Sequence, residues 1–244
     1  MTIYSTSEQL SRIQNILSLY IRLPFSGKTI PGAIMEAVLA NVLGGEVLNT
    51  YDFVDVIKPE SHCGWQIKST KAKTPVTWKR AKIPNAVKLI KESRDSVDGC
   101  QALGDEIINF CNAHVQESIE LYNLNEVGYC RLIIFDNGDV CYFERLLCTK
   151  DNPLLFNPED FTWRWSVQKN VIKKEQLSAL HGIHKPTGKK WWAWHGLGEN
   201  QLHFSGEKVW WPKDDDPHQT AFCLPNVQEK MSLEDFMQLL VKMA

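Results

Sequence analysis

Several things are scarce in this chain of 244 residues, and each scarcity narrows its chemistry. There are seven cysteines, an odd and scattered set with no CxxC pair, which argues against structural zinc and for free thiols in a reducing cytoplasm. No apolar run approaches the ~20 residues needed to span a bilayer, so no membrane role is expected. The first twenty residues, MTIYSTSEQLSRIQNILSLY, lack a basic start followed by an unbroken apolar stretch, so they suggest an amphipathic helix and not an export signal. Acids are nearly missing between Lys68 and Arg94, where nine basic residues stand against Glu92 alone in a protein of net charge −2. A local positive excess of that size suits a phosphate backbone, or else a solvated lysine-rich helix face at Lys88 and Lys91.

What is present is the pattern of an α/β protein. Leu10, Ile13 and Leu17 recur at helical spacing over 7–22. Pro31 suits the first turn of a second helix ending near Leu43, before Gly44 and Gly45. Residues 46–57 read as a strand, KPESHCG as a turn and GWQIKST as the next strand. A basic loop containing Pro75 and Pro84 precedes a helical stretch over about 85–124, broken near Asp98-Gly99. Two β-rich runs around Asn137-Gly138 predict a hairpin. The expected fold is therefore a central mixed sheet flanked by helices over 1–150. A tryptophan-rich α+β extension over 151–244 is expected to pack on the same domain, since seven of the nine tryptophans lie between 163 and 211. Ser232 and Asp235 predict the cap of a last helix.

GWQIKST poses the functional question. Its alternation sends Gln66 and Lys68 to one face and Trp65, Ile67 and Ser69 to the other. Upstream lie Asp52 and Asp55, of opposite strand parity, so a regular strand would bring only one of them to that face. Glu36 falls on an apolar helical face with Ala33, Leu39, Ala40 and Leu43, where a carboxylate needs a partner such as a metal ion. Either aspartate with Gln66 suits Mg²⁺, which takes few protein ligands and keeps its waters. Lys68 is then placed to orient or deprotonate a water and to offset phosphate charge, with Ser69 and Thr70 donating to neighbouring phosphates.

These residues resemble the PD-(D/E)xK nuclease superfamily. A helix glutamate ("ME"), an aspartate before an apolar residue ("YDF") and "QIKST" stand in a similar order of helices and strands, over about residues 30–147. Chain size and the tryptophan-rich C-terminal region resemble type II restriction endonucleases in particular. The chain departs from the family pattern at Tyr51, where a proline is usual, and at Gln66, where Glu or Asp is usual. The resemblance favours Asp52, whereas the 11 residues between Asp55 and Gln66 suit a tight hairpin, so both are candidates. The family implies a Mg²⁺-dependent double-stranded DNA endonuclease with a restriction-endonuclease-like core. The metal ligands would come from Glu36, Asp52, Asp55 and Gln66, and Lys68 would be the catalytic lysine.

DNA contacts are expected from Ser69, Thr70, Lys71, Lys73, Lys79, Arg80 and Lys82. A second group follows in GIHKPTGKKWWAWHGLGENQLHF: Lys185, Lys189 and Lys190, with His195, Asn200, Gln201 and His203 as readers of base edges. In the alternative, the tryptophans of this stretch are core and its lysines line a surface turn. Trp163, Trp165, Trp210 and Trp211 read as core, and Asp214–Asp216 as a solvated acidic loop. His181 and His184 have metal-ligand spacing but lack cysteine or carboxylate partners nearby in sequence. Cutting both strands at a palindrome implies a homodimer, with the 7–22 helix a candidate for the contact or else packed on its own subunit. Competing readings are a structure-specific or repair nuclease and a non-catalytic nucleic-acid-binding module.

Overall fold

The computed structural model describes residues 3–27, 29–49, 51–167, 169–171, 174–176, 178–196, 200–211, 219–223 and 230–243. Asp214–Asp216 lie outside them. The chain is mixed α/β and divides into two compact units that are interleaved in sequence. The first comprises 1–74, 122–149 and 212–244; the second comprises 75–121 and 150–211. A sequential boundary near 150 was expected instead. Pairing between segments far apart in sequence sets the division, and composition alone does not report it.

In the first unit, α1 (Ser7–Arg22) begins with a capping box: the Gln9 amide donates to Thr6 Oγ1 at 3.2 Å and the Thr6 amide to Gln9 Oε1 at 2.8 Å. Its stripe of Leu10, Ile13 and Leu17 is buried in the unit's own core. The stripe is therefore already covered, which is the second of the two alternatives expected for this helix. Helix α2 (Gly32–Leu43) follows Pro31 and ends at Gly44, whose φ of 70° is the left-handed cap that glycine adopts without strain. Residues 46–57 do not form one strand. They form β1 (Glu46–Val47) and β2 (Val56–Lys58), separated by a loop. Phe53 and Val54 are consecutive and both buried, which a two-faced strand does not permit.

Strand β3 (Cys63–Lys71) contains the GWQIKST stretch. The next strand, β4 (Val76–Arg80), belongs to the second unit, as do α3 (Ala86–Asp95) and α4 (Val97–Leu121). Strands β5 (Glu126–Ile134) and β6 (Asp139–Thr149) form the expected hairpin, turning over Asp136-Asn137 with Gly138 at φ 89°. Five further strands lie in the second unit: β7 (Phe161–Trp165), β8 (Lys169–Val171), β9 (Lys174–Gln176), β10 (Leu180–His184) and β11 (Lys189–His195). They are followed there by β12 (Gln201–Phe204), and the first unit is completed by β13 (Gln219–Cys223) and α5 (Leu233–Met243). Ser232 caps α5, its Oγ accepting from the Asp235 amide at 3.0 Å.

The first unit's sheet runs β1-β2-β3-β5-β6-β13, with β3 and β5 parallel and the other neighbours antiparallel. One face of it packs on α1 and α2 through Trp65, Ile67, Cys130, Leu132 and Tyr142. Residues 3–5 are tied to the same unit. Trp65 Nε1 donates to the Ile3 carbonyl at 2.9 Å, and the Ser5 amide donates to buried Glu144 at 2.6 Å.

The second unit's sheet runs β4-β12-β11-β10-β7, all antiparallel. Strand β4 lies within the stretch expected to be a basic loop. Val76 and Trp78 are buried and alternate with Thr77 and Lys79, so the strand periodicity was present between the two prolines. Trp78, Trp192, Trp194 and Phe204 form its aromatic core, joined by Trp163. Gly104 on α4 is required there, since a Cβ would meet the Trp163 ring at 2.1 Å. The GIHKPTGKKWWAWHGLGENQLHF stretch is mostly two antiparallel strand pairs and not a long reading loop. Among the described residues, no helix is long and apolar enough to cross a membrane.

Candidate active site

Strand β2 pairs with β3 through Val56 and Trp65, which places Asp55 beside Gln66. The Asp55 amide donates to the Trp65 carbonyl at 2.8 Å. Beyond that point the backbone of the upstream chain leaves β3. The Asp55 carboxylate takes over the open backbone position, with Oδ2 accepting from the Ile67 amide at 2.7 Å. The same oxygen stands 3.6 Å from Lys68 Nζ. Strand alternation puts Gln66 and Lys68 on one face, as expected, and Asp55 joins them there. Gln66 is 1% exposed, whereas Lys68 keeps 20% of its side chain and Asp55 26% in contact with solvent.

Glu36 approaches this group from α2. Burial raises its pKa first, the charge of Asp55 raises it further, and the charge of Lys68 lowers it. Of the five expected catalytic residues, Asp55, Gln66 and Lys68 come together, and a fourth, Glu36 on α2, feels the charges of Asp55 and Lys68. Asp52 is the fifth, and it is engaged differently: its Oδ2 accepts the Tyr122 hydroxyl at 2.6 Å. Residues 46–57 are not one regular strand, so parity does not choose between the two: Asp55 reaches Lys68 where the chain leaves β3, whereas Asp52, which the family pattern favours, meets Tyr122.

The other expected contacts divide. Ser69 lies on the opposite face from Lys68, and its hydroxyl donates to the Ile30 carbonyl at 2.6 Å, joining β3 to the start of α2. Thr70 Oγ1 accepts from Arg131 Nη2 at 2.7 Å. Both hydroxyls therefore have partners within the unit. Lys71 is exposed, and Lys73 pairs with Asp136. In the second unit Arg80, Lys82, Lys185, Lys189 and Lys190 are exposed, while Lys79, His195, Asn200, Gln201 and His203 are half-buried. Lys88 pairs with Glu92 at 3.8 Å, and Arg94 lies 3.6 Å over the Trp165 ring, so neither is a simple phosphate contact. His181 and His184 point to opposite faces of β10, and His184 stacks on Trp191 at 3.7 Å, which rules out a shared metal between them.

Arg131 was not anticipated. It pairs with Lys68 in the β3–β5 register, so both side chains leave the same face of the sheet, and it is fully buried. Its guanidinium also donates to the Leu132 carbonyl. An arginine inside the apolar run VGYCRLII was the available signal, because a buried charge at that position must serve local geometry or electrostatics.

Among the described residues, no three His, Cys, Asp or Glu side chains are grouped to hold a metal ion by themselves. Two carboxylates and an amide oxygen are nevertheless a hard, all-oxygen donor set, and Glu36, its pKa raised first by burial and then by Asp55, is a carboxylate that a cation would help to ionise. That set suits Mg²⁺ with water completing its shell. Comparison with protein-family models, with curated proteins and with solved structures gives no match.

Proposed function

We propose that the protein is a Mg²⁺-dependent double-stranded DNA endonuclease of the PD-(D/E)xK type, working as a type II restriction enzyme. The observation that carries this reading is the convergence of Asp55, Gln66 and Lys68 where the chain entering β2 meets β3, with Glu36 on α2 within reach of the charges of Asp55 and Lys68. Hydrolysis of a phosphodiester needs an aligned water, charge neutralisation at the phosphate and a way to stabilise the leaving oxygen. Asp55, Glu36 and the Gln66 carbonyl would hold Mg²⁺, which supplies Lewis acidity toward the scissile phosphate. Asp55 is held by two contacts, the Ile67 amide and Lys68, so its orientation is set before any ligand enters. Lys68 keeps part of its side chain in solvent, where it can orient the attacking water and offset phosphate charge. Gln66 contributes an oxygen without charge, so the site carries one negative charge fewer than the usual family pattern.

The exposed cations Lys71, Arg80, Lys82, Lys185 and Lys189 supply a non-specific hold on the DNA backbone. One catalytic group per chain cuts one strand at a time, so double-strand cleavage at a two-fold symmetric sequence calls for two copies of the chain. The test is incubation of the purified protein with phage DNA and Mg²⁺. Discrete fragments support a restriction enzyme, a smear indicates a non-specific nuclease, and intact DNA under all conditions overturns the reading.

A further inference from the structure

The second unit's sheet has a buried aromatic face and an opposite face of a different character. Across it run rows set by the strand register: Arg164 on β7 faces His181 on β10, His181 faces Ala193 on β11, and Ala193 faces His203 on β12. One step along β11, His195 faces Gln201, which faces Arg80 on β4. The small side chain of Ala193 leaves a hollow between the imidazoles. The result is a cavity of about 240 Å³ whose polar lining includes His181, His195, His203, Lys190, Ser166 and Ser205. His195 and His203 rings stand 5.0 Å apart, and the second His203 nitrogen lies 3.0 Å from Gln201 Oε1.

We propose that this cavity is a binding pocket for a phosphate group. Beside Pro75, Val167, Ala179 and Ala193, its lining presents a lysine, two hydroxyls and three imidazoles, all of which can donate to an anion, and the adjoining strand adds Arg164. The volume admits a phosphate together with several waters. A concave site of converging donors differs from the flat, mixed donor and acceptor array that reads base edges, so His195 and His203 hold a phosphate and do not read bases. As a site for the DNA backbone, the pocket rests on the function proposed above; as a site for phosphate, it stands on the second unit alone.

The pocket is also linked to protons. Burial lowers the His181 pKa, and the positive charges of Lys190, His195 and Arg164 lower it further. Without an anion His181 therefore favours the neutral form, because burial first and the surrounding like charges second disfavour the imidazolium. An entering phosphate reverses that field and favours the imidazolium, so binding takes up a proton. The sign follows: affinity increases as pH falls.

Calorimetry of the full chain in EDTA, with inorganic phosphate in one arm and a short duplex in the other, tests this without requiring cleavage. For the duplex, whose phosphodiesters do not titrate in this range, affinity is expected to rise about tenfold from about pH 8 to about pH 6, with proton uptake visible between buffers of different ionisation enthalpy. Inorganic phosphate itself gains a proton near neutral pH, so that arm is read as the difference between the parent and the His181→Gln variant. His181→Gln should remove most of that pH dependence, and Lys190→Gln, at an exposed position, should weaken binding at both pH values. Effects on the duplex alone assign the pocket to backbone phosphodiesters, and effects on inorganic phosphate alone assign it to a small phosphorylated ligand; both support the site. Binding that is flat with pH, or absent in both arms, or unchanged in both variants, overturns it. A protein that fails to cut DNA yet shows the His181-dependent binding would overturn the proposed function and leave the pocket standing.

Discussion

Lys68 Nζ stands 3.6 Å from Asp55 Oδ2, and that oxygen also accepts the Ile67 amide one residue away on the same strand. A single carboxylate thus both closes the β2–β3 pair and sets the position of the lysine beside it. The pair has a structural role in any case, and substitutions that spare folding separate that role from a catalytic one.

Lys68→Ala should lower cleavage by about 100-fold or more while duplex binding in Ca²⁺ stays within a few-fold of the parent protein. Gel-shift and cleavage assays on the same preparation check this. Parallel loss of both would reduce Lys68 to a binding residue.

Asp55→Asn and Asp52→Asn should behave differently, because only Asp55 faces Lys68. Asp55→Asn should abolish cleavage. Asp52→Asn weakens the Tyr122 hydrogen bond and should cost on the order of 1 kcal/mol of stability while leaving the rate near that of the parent. Tyr122→Phe should match it in a thermal melt. A larger rate loss in Asp52→Asn than in Asp55→Asn would return the family's preferred aspartate to the site.

Gln66→Glu should preserve cleavage and shift the Mg²⁺ requirement, since it restores a charge next to Asp55. Gln66→Ala should cost far more, having no oxygen to offer. Titration of activity with Mg²⁺ separates the two, and equal, negligible effects would place Gln66 outside the site.

Glu36 gives a pH test. Its folded-state pKa lies above the ordinary carboxylate value, chiefly from burial and then from Asp55. The folded chain therefore holds this proton more tightly than the unfolded one. Stability from this group is greatest below the ordinary pKa and is lost as pH rises through the raised value. At neutral pH and in EDTA, Glu36→Gln should melt at or above the parent temperature. Mg²⁺ should raise the parent's melting temperature more than that of the variant. An equal rise in both would remove Glu36 from the ion's surroundings.

Stoichiometry tests the assembly. Sedimentation with a short palindromic duplex should find two chains per duplex. The contact should survive polar substitutions on the exposed side of α1, because Leu10, Ile13 and Leu17 are buried inside the unit. One chain that cuts both strands in a single encounter would refute the dimer.

The sequence by itself determined the elements whose signals are local. The apolar stripe defines α1, Pro31 and Gly44 bracket α2, the Asn137-Gly138 turn closes β5 on β6, and Ser232 starts α5. It also determined that Gln66 and Lys68 share a face, because that follows from the two-residue period of a strand. The tertiary structure decided the rest. Which aspartate joins Lys68 depends on where the chain leaves β3, a pairing between residues ten or more apart that neither parity nor motif spacing sets. The placement of β4 beside β12 joins Val76–Arg80 to residues more than a hundred positions later and interleaves the two units. The histidine-lined cavity exists because three strands bring His181, Ala193 and His203 into one row. Period and composition act over a few residues, whereas register across a sheet is chosen by the packing of the whole unit.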